Sequence, residues 1–366
     1  MAIDETLRVG TTVIADQRLL NSRLIETPSK TPEEVVQWLG AMQSQDFAGA
    51  KWAIAQRTKN LVTDADINLL FNKGKILRTH ILRPTWHFLI PKDIRWLLKI
   101  TGPRVNAANS YYYRKFGLDE DIFAKCSAAL VNAMHGGVQL TRTEISQVYK
   151  NVGINASGLR LAYLIMRAEL DAIVCSGAMR GKQFTYALLE ERVPKTKMLD
   201  HDEAAAELTK RYFTSHGPAQ IKDFTWWSGL TAAEAKAGIE INSLEHKTLD
   251  GKTYWYSPGQ PTGKKLKQAP LIHLLPNYDE YLIAYKDHSP IFDTALLGEI
   301  PRTDTLMPHI IILNGQVIGG WRRTVQKNEI NITTNLLVRL DNTEQSALKL
   351  AAEHYSQFMG MPVVIM

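Results

Sequence analysis

At 366 residues the chain exceeds one ordinary domain, and 45% hydrophobic with 22% charged residues describes a globular protein of two or three packed units. No apolar run reaches bilayer-spanning length, the N-terminus has no basic-then-apolar signal pattern, and Cys126 and Cys175 make neither a metal-ligand spacing nor a disulfide framework; no membrane association is expected, and a reducing cytoplasm fits best. The net charge of +6 is uneven: between Lys73 and Phe116 ten Lys/Arg stand against one acid, Asp93, a local +9 suited to steering a polyanion, or else a solvated face.

In chain order, a short helix is expected from Ala15 to Leu24. A second begins at Thr31, where Thr31 and Glu34 have capping-box spacing, Pro32 is the first helical residue, and Val35, Val36, Leu39 and Met42 form the apolar stripe. The next spans Phe47 to Arg57, and another starts at the Thr63/Asp66 cap. Ile76–Leu82 and Thr85–Ile90 then read as a strand pair broken by Pro84, before Pro91 opens a further helix. Two more rounds of helix, helix and hairpin follow: Thr141 to Val152, Ser157 to Ala172 and strands near Ile173 and Phe184; then Ala219 to Ser228, the Thr231/Glu234 helix and strand-like Leu244 to Tyr256. Beyond Pro270 the pattern becomes three strands, a helix from Thr343 to Phe358 and a last strand. The expected fold is therefore α+β: about three tandem winged helix-turn-helix units (1–116, 117–200 and 201–260) with a C-terminal α+β region (261–366).

No Walker loop, G-x-G-x-x-G, H-E-x-x-H or G-x-S-x-G is present, so neither a nucleotide cofactor nor a catalytic metal is expected. What remains is Gln43-Ser44-Gln45, between two helices. At a helix end or extended turn, two amides at this spacing can converge on one point and hold a water without a charge. The alternative is ordinary polar residues at a helix terminus.

Four runs taken together, Gln43-Ser44-Gln45-Asp46, His80 to His87, Leu275 to Leu282 and Gly320-Trp321-Arg322-Arg323, resemble the winged-helix family of bacterial DNA glycosylases that includes the azinomycin-resistance enzyme. They occur in the family's order and span most of the chain. Ser44 departs from the family, where an apolar or small residue is usual. The resemblance implies a cofactor-free monofunctional glycosylase for N7-alkylated guanine in double-stranded DNA, in some members from interstrand crosslinks. It makes Gln43 and Gln45 the catalytic pair, and it implies winged units curved around a DNA-binding face.

An N7-alkylated purine is already a cationic leaving group, so placing a water and aiming negative dipoles at an oxocarbenium-like sugar suffices. Amide oxygens of Gln43 and Gln45 are expected to do this, with Asp46 capping the Phe47 helix or supporting the pair. Arg78, Arg83, Arg322 and Arg323 are expected phosphate contacts, and Trp86, His87 and Trp321 stacking candidates, each set against solvated turns or strand packing. Trp226 and Trp227 read as core. Asp279 and Tyr281 belong to a run in which one carboxylate orients a basic residue or forms a structural ion pair. The chain is expected to act as a monomer; the rival reading is a non-catalytic winged-helix regulator.

Overall fold

The computed structural model describes residues 5–196, 198–259, 270–292 and 309–366, with side chains from 13 onward. The boundary expected between residues 260 and 261 lies outside the described residues.

Helix starts follow local chemistry closely. Thr31, Thr63, Thr141 and Thr231 each accept the backbone N–H three residues on, and begin α2 (Pro32–Leu39), α4 (Asp64–Asn72), α8 (Arg142–Asn151) and α13 (Ala232–Ile241). Helix α1 spans Glu5–Asn21 and α3 spans Phe47–Ala55. Helix α2 stops short of Met42: Gly40 caps it at φ 79°, a conformation glycine adopts without a Cβ clash. Met42 and Gln43 instead form a short strand, β1.

That strand completes the first sheet. Strands β2 (Leu77–His80) and β3 (Trp86–Leu89) make the expected hairpin, and β1 adds to it in the antiparallel order β1-β3-β2. Strand alternation places Gln43, His87 and Thr79 in one cross-strand row and Met42, Phe88 and Arg78 in the row on the other face. Leu77 and Leu89 of the first face join a core with α5 (Ile94–Ala108) and elements further along the chain. Met42 and Phe88 join the core of α3.

The second round comprises α6 (Ser110–Lys115), α7 (Glu120–Met134), β4 (Leu140–Thr141), α8 and α9 (Gly158–Leu170), closed by β5 (Val174–Ser176) and β6 (Thr185–Leu188) in the order β4-β6-β5. After the single turn α10 (Leu189–Arg192), the third holds α11 (His201–Ser215), α12 (Ile221–Ser228), α13 and the hairpin of β7 (Glu245–Leu249) and β8 (Lys252–Tyr256). The C-terminal region contains β9 (Ile272–Leu275), α14 (Glu280–Ile283), β10 (His309–Leu313), β11 (Gln316–Val325), β12 (Ile330–Leu336), α15 (Asn342–Met359) and β13 (Val363–Ile365). Its sheet has the order β13-β12-β11-β10-β9, with β12–β13 the parallel pair.

The cores cross these rounds. One cluster runs from Val35 and Trp52 to Ile318 and Tyr355, and another from Leu77 and Leu97 to Trp227 and Tyr285. The first hairpin is thus clamped between the C-terminal sheet on one side and α11 to α13 on the other. Among the described residues no helix is long and apolar enough to cross a membrane.

Candidate active site

Gln43 is held at both ends. Its backbone N–H donates to Glu280 Oε1 at 2.7 Å, and its side-chain Oε1 accepts from Arg83 Nη2 at 3.1 Å. The residue is buried, and its Nε2 makes no hydrogen bond among the described residues. Gln45 is exposed, with only a long 3.5 Å contact from the Trp86 N–H to its Oε1. Between them Ser44 is anchored by its N–H to the Trp86 carbonyl at 2.7 Å, while its carbonyl accepts from Arg78 Nε at 3.2 Å. The two amides therefore differ: one fixed, one open to solvent.

The loop carrying Arg83 is strained. Leu82 has φ 60°, and its neighbours close a γ-turn around it, Arg83 N–H to Ile81 carbonyl at 2.6 Å. A buried Leu82, with its N–H against Thr101 Oγ1 at 3.2 Å, keeps that turn in place. Its carbonyl packs on Gly229, the cap of α12, where a Cβ would come within 2.7 Å. The turn sends the Arg83 guanidinium between Gln43 and the Trp226 carbonyl, 3.4 Å from Nη1, with Cζ 5.7 Å from the Trp226 ring centroid. Burial lowers its pKa, and Glu280 partly offsets that.

Glu280 is 1% exposed and bridges three elements. Oε1 takes the Gln43 N–H; Oε2 takes Trp227 Nε1–H at 2.9 Å and lies 3.5 Å from His216 Nε2. Burial opposes its charge, but His216, the Gln43 amide and Arg83 outweigh burial and hold its carboxyl below the ordinary carboxylate range. Trp226 and Trp227 are consecutive on α12 and part company: Trp227 is fully buried, whereas Trp226 is 46% exposed beside Arg83.

Several expected contact residues occupy interior positions instead. Arg78 is 8% exposed, its Cζ 4.2 Å from the Trp86 ring and 4.8 Å from that of Phe184, and burial pushes its pKa down to about 10. It braces the Ser44 carbonyl from within the fold. His87 is fully buried; Nδ1–H donates to the Thr85 carbonyl at 2.9 Å, and burial, then Arg83, holds the ring neutral, so its unprotonated Nε2 has no partner. Trp321 is also fully buried, donating Nε1–H to the Leu275 carbonyl at 2.9 Å and packing on His309 and Tyr355. Neither ring is offered to a base, because both side chains are fully buried. Trp86 is half-buried between Arg78 and His80, and His80 is itself paired with Glu169.

Asp46 caps α3, accepting the Gly49 N–H at 3.0 Å. Asp279 grips Arg57 through two hydrogen bonds of 2.9 and 2.6 Å, both side chains fully buried; this is a structural ion pair at the far end of α3. Tyr281 is buried with its hydroxyl on the Gly315 carbonyl at 3.0 Å. Arg322 is exposed on β11, and Arg323 is half-buried with Cζ 5.8 Å from the Tyr355 ring centroid.

The basic stretch is also partly neutralised by distant acids. Arg95 meets Glu190 at 2.9 Å, and Arg104 meets Glu234 at 2.6 Å. Lys73, Lys75, Lys92, Arg114 and Lys115 remain exposed. Among the described residues no group of three or more His, Cys, Asp or Glu is arranged to hold a metal ion.

The family model described as AlkZ-like DNA glycosylase matches residues 36–358. The chain belongs to the AlkZ-like DNA glycosylase family. It is 21% identical over 304 residues, 79% of this chain and 81% of the relative, to an interstrand DNA cross-link repair glycosylase of Streptomyces sahachiroi. The solved structure of Streptomyces sahachiroi DNA glycosylase AlkZ superposes with a TM-score of 0.74 at 20% identity, covering 97% of this chain and 99% of that one, a likeness of fold.

In this AlkZ-like chain the site draws on more of the sequence than its motif. Glu280, not Asp279, is the carboxylate of its run that reaches Gln43. Local sequence gives no means of choosing between the two. Trp226 carried a signal of its own: in a helix that buries Phe224, Trp227 and Ser228, it falls on the remaining face.

Proposed function

We propose that the chain hydrolyses the N-glycosidic bond of N7-alkylated purines in duplex DNA, crosslinked purines included, as a monofunctional, cofactor-free enzyme acting as a monomer. The observation that carries the reading is the asymmetric pair: Gln43 fixed by Glu280 and Arg83, with Gln45 exposed beside it.

As the C1′–N9 bond breaks, its electron pair returns to the base and cancels the N7 charge, so the base leaves neutral without an acid. A water oxygen bonds to C1′, and its proton passes to solvent. Arg83 takes one lone pair of the Gln43 carbonyl and fixes the amide's orientation, while its Nε2, which has no partner among the described residues, donates to the water oxygen and sets its position. Gln45, whose contact to Trp86 is long, turns its carbonyl to a water proton and to the growing positive charge on the sugar. Expecting two amide oxygens at the sugar is thereby revised to one oxygen and one donor.

The three helix–hairpin rounds are proposed as winged units facing the duplex, with exposed Lys73, Lys75, Arg114, Lys115 and Arg322 meeting phosphates. Trp226 offers a stacking face beside the site. The test is incubation with duplex DNA carrying N7-methylguanine, in buffer containing a chelator, followed by detection of abasic sites. Accumulation at catalytic rates supports the reading. A duplex that is bound but never depurinated supports the rival regulator instead.

A further inference from the structure

Hydrogen bonds around Gln43 close into a ring. Glu280 Oε1 takes the Gln43 N–H at 2.7 Å, and Gln43 Oε1 takes Arg83 Nη2 at 3.1 Å. Arg83 Nη1 then reaches the Trp226 carbonyl at 3.4 Å, and the next residue, Trp227, returns Nε1–H to Glu280 Oε2 at 2.9 Å. Four segments far apart in sequence thus share one ring, in which Glu280 and Arg83 touch Gln43 directly and the Trp226–Trp227 segment links those two. A carboxylate that is 1% exposed is costly to keep there, and an apolar residue of similar size would often be at least as stabilising.

We propose that Glu280 is the positioning residue for Gln43, setting the strand that carries the amide while Arg83 sets the amide itself. The inference rests on the glycosylase reading above. Glu280 does not touch the substrate; it acts through the Gln43 backbone. Both of its oxygens must accept, one from a peptide N–H and one from an indole N–H. A glutamine at 280 has a single oxygen, so one of those donors must then face an N–H2 group. If the oxygen stays with Trp227, the Gln43 strand loses its anchor. A phenylalanine at 227 removes the indole donor, so the amide oxygen is free to return to Gln43 while the N–H2 group turns toward His216 Nε2, which lies 3.5 Å from the Oε2 position.

The experiment compares wild type, Glu280→Gln, Trp227→Phe and the double variant on a duplex containing N7-methylguanine, under single-turnover conditions with saturating enzyme. Duplex Kd, thermal midpoint and deuterium exchange of the peptide spanning 41–46 are measured beside the rate. Glu280→Gln is expected to slow base release about tenfold to a hundredfold, with Kd nearly unchanged and faster exchange in 41–46. The double variant is expected to recover most of both the rate and the protection. An unchanged rate in folded Glu280→Gln, or a loss that tracks only the unfolded fraction, overturns the proposal. So does a double variant no better than Glu280→Gln. If the wild-type chain releases no base, the functional reading fails by itself, and the anchoring is decided by the exchange pattern alone.

Discussion

Arg83 and Gln43 are 40 residues apart in the chain and are joined side chain to side chain, Nη2 to Oε1, at 3.1 Å. A cation on the carbonyl of the amide proposed to hold the water limits what that amide does. Arg83→Ala should free the Gln43 amide to rotate and slow single-turnover base release by about tenfold or more. Arg83→Lys, a point donor without the planar fork, should recover only part of the rate because it cannot span Gln43 and Trp226 together. A rate equal to wild type in folded Arg83→Ala would refute the role given to this contact.

The glutamines themselves should behave as a unit. Alanine at either Gln43 or Gln45 is expected to reduce base release on the order of 10²-fold, and the double variant should be little worse than the worse single one. Gln45 is exposed, so Gln45→Ala should leave the thermal midpoint almost unmoved. A folded double variant with full activity would end the mechanism.

Salt titrations distinguish buried from exposed arginines. Arg78→Gln should cost stability without changing the slope of log affinity against log salt, since its guanidinium is packed among aromatic rings. Arg322→Gln should flatten that slope by about one unit at most, as expected for one phosphate contact. The opposite pattern would move the DNA face away from β11. In the same assay Trp226→Ala should weaken damaged duplex with little loss of stability, because the ring is 46% exposed.

Acid stability is set in part by His273. Burial, against the opposing Leu24 carbonyl hydrogen bond, pulls its pKa from 6.5 down to about 4. Above pH 6.5 the ring is neutral in both folded and unfolded chains. Between pH 6.5 and 4 the unfolded chain takes a proton that the folded one refuses, so stability falls with pH by up to about 1.4 kcal/mol per unit for this group. Urea unfolding of His273→Gln at pH 7, 6 and 5 should show a shallower decline than wild type, and parallel curves would contradict the assignment.

Asp279 is expected to matter for folding alone. Removing one member of the fully buried Arg57–Asp279 pair should cost about 3–5 kcal/mol, through the charge left behind. Asp279→Asn that remains folded should excise bases at the wild-type rate per folded molecule; a rate defect without a stability defect would place Asp279 in the site after all.

Legibility in the sequence followed the range of the interaction. Thr31, Thr63, Thr141 and Thr231 cap as expected because the partner of each is three residues away. The hairpin of Leu77–His80 and Trp86–Leu89 was readable from strand formers broken at Pro84. Strand β1 was not, since two residues carry no periodicity and the partner, His87, lies far along the chain. Helix α11 has a capping box in Asp200 and Glu203, but Ala204, Ala205 and Ala206 mask its apolar stripe in the sequence. Burial of Trp321 and His87 was invisible for the same reason as the role of Glu280: each depends on what a distant element lays against it. Counting charge along 73–116 overstated the basic field because Glu190 and Glu234 arrive from elsewhere.

The Gln43–Glu280 bond joins residues separated by 237 positions. During synthesis the motif therefore emerges well before its anchor and remains unfinished until the segment carrying Glu280 has followed and docked. Contacts of such long range form late in folding. A nascent or truncated chain could already carry exposed lysines and a first hairpin, yet would lack the carboxylate beneath its glutamine. On the glycosylase reading, competence to cut a base from DNA would then arrive only once the helix carrying Glu280 has docked beneath Gln43.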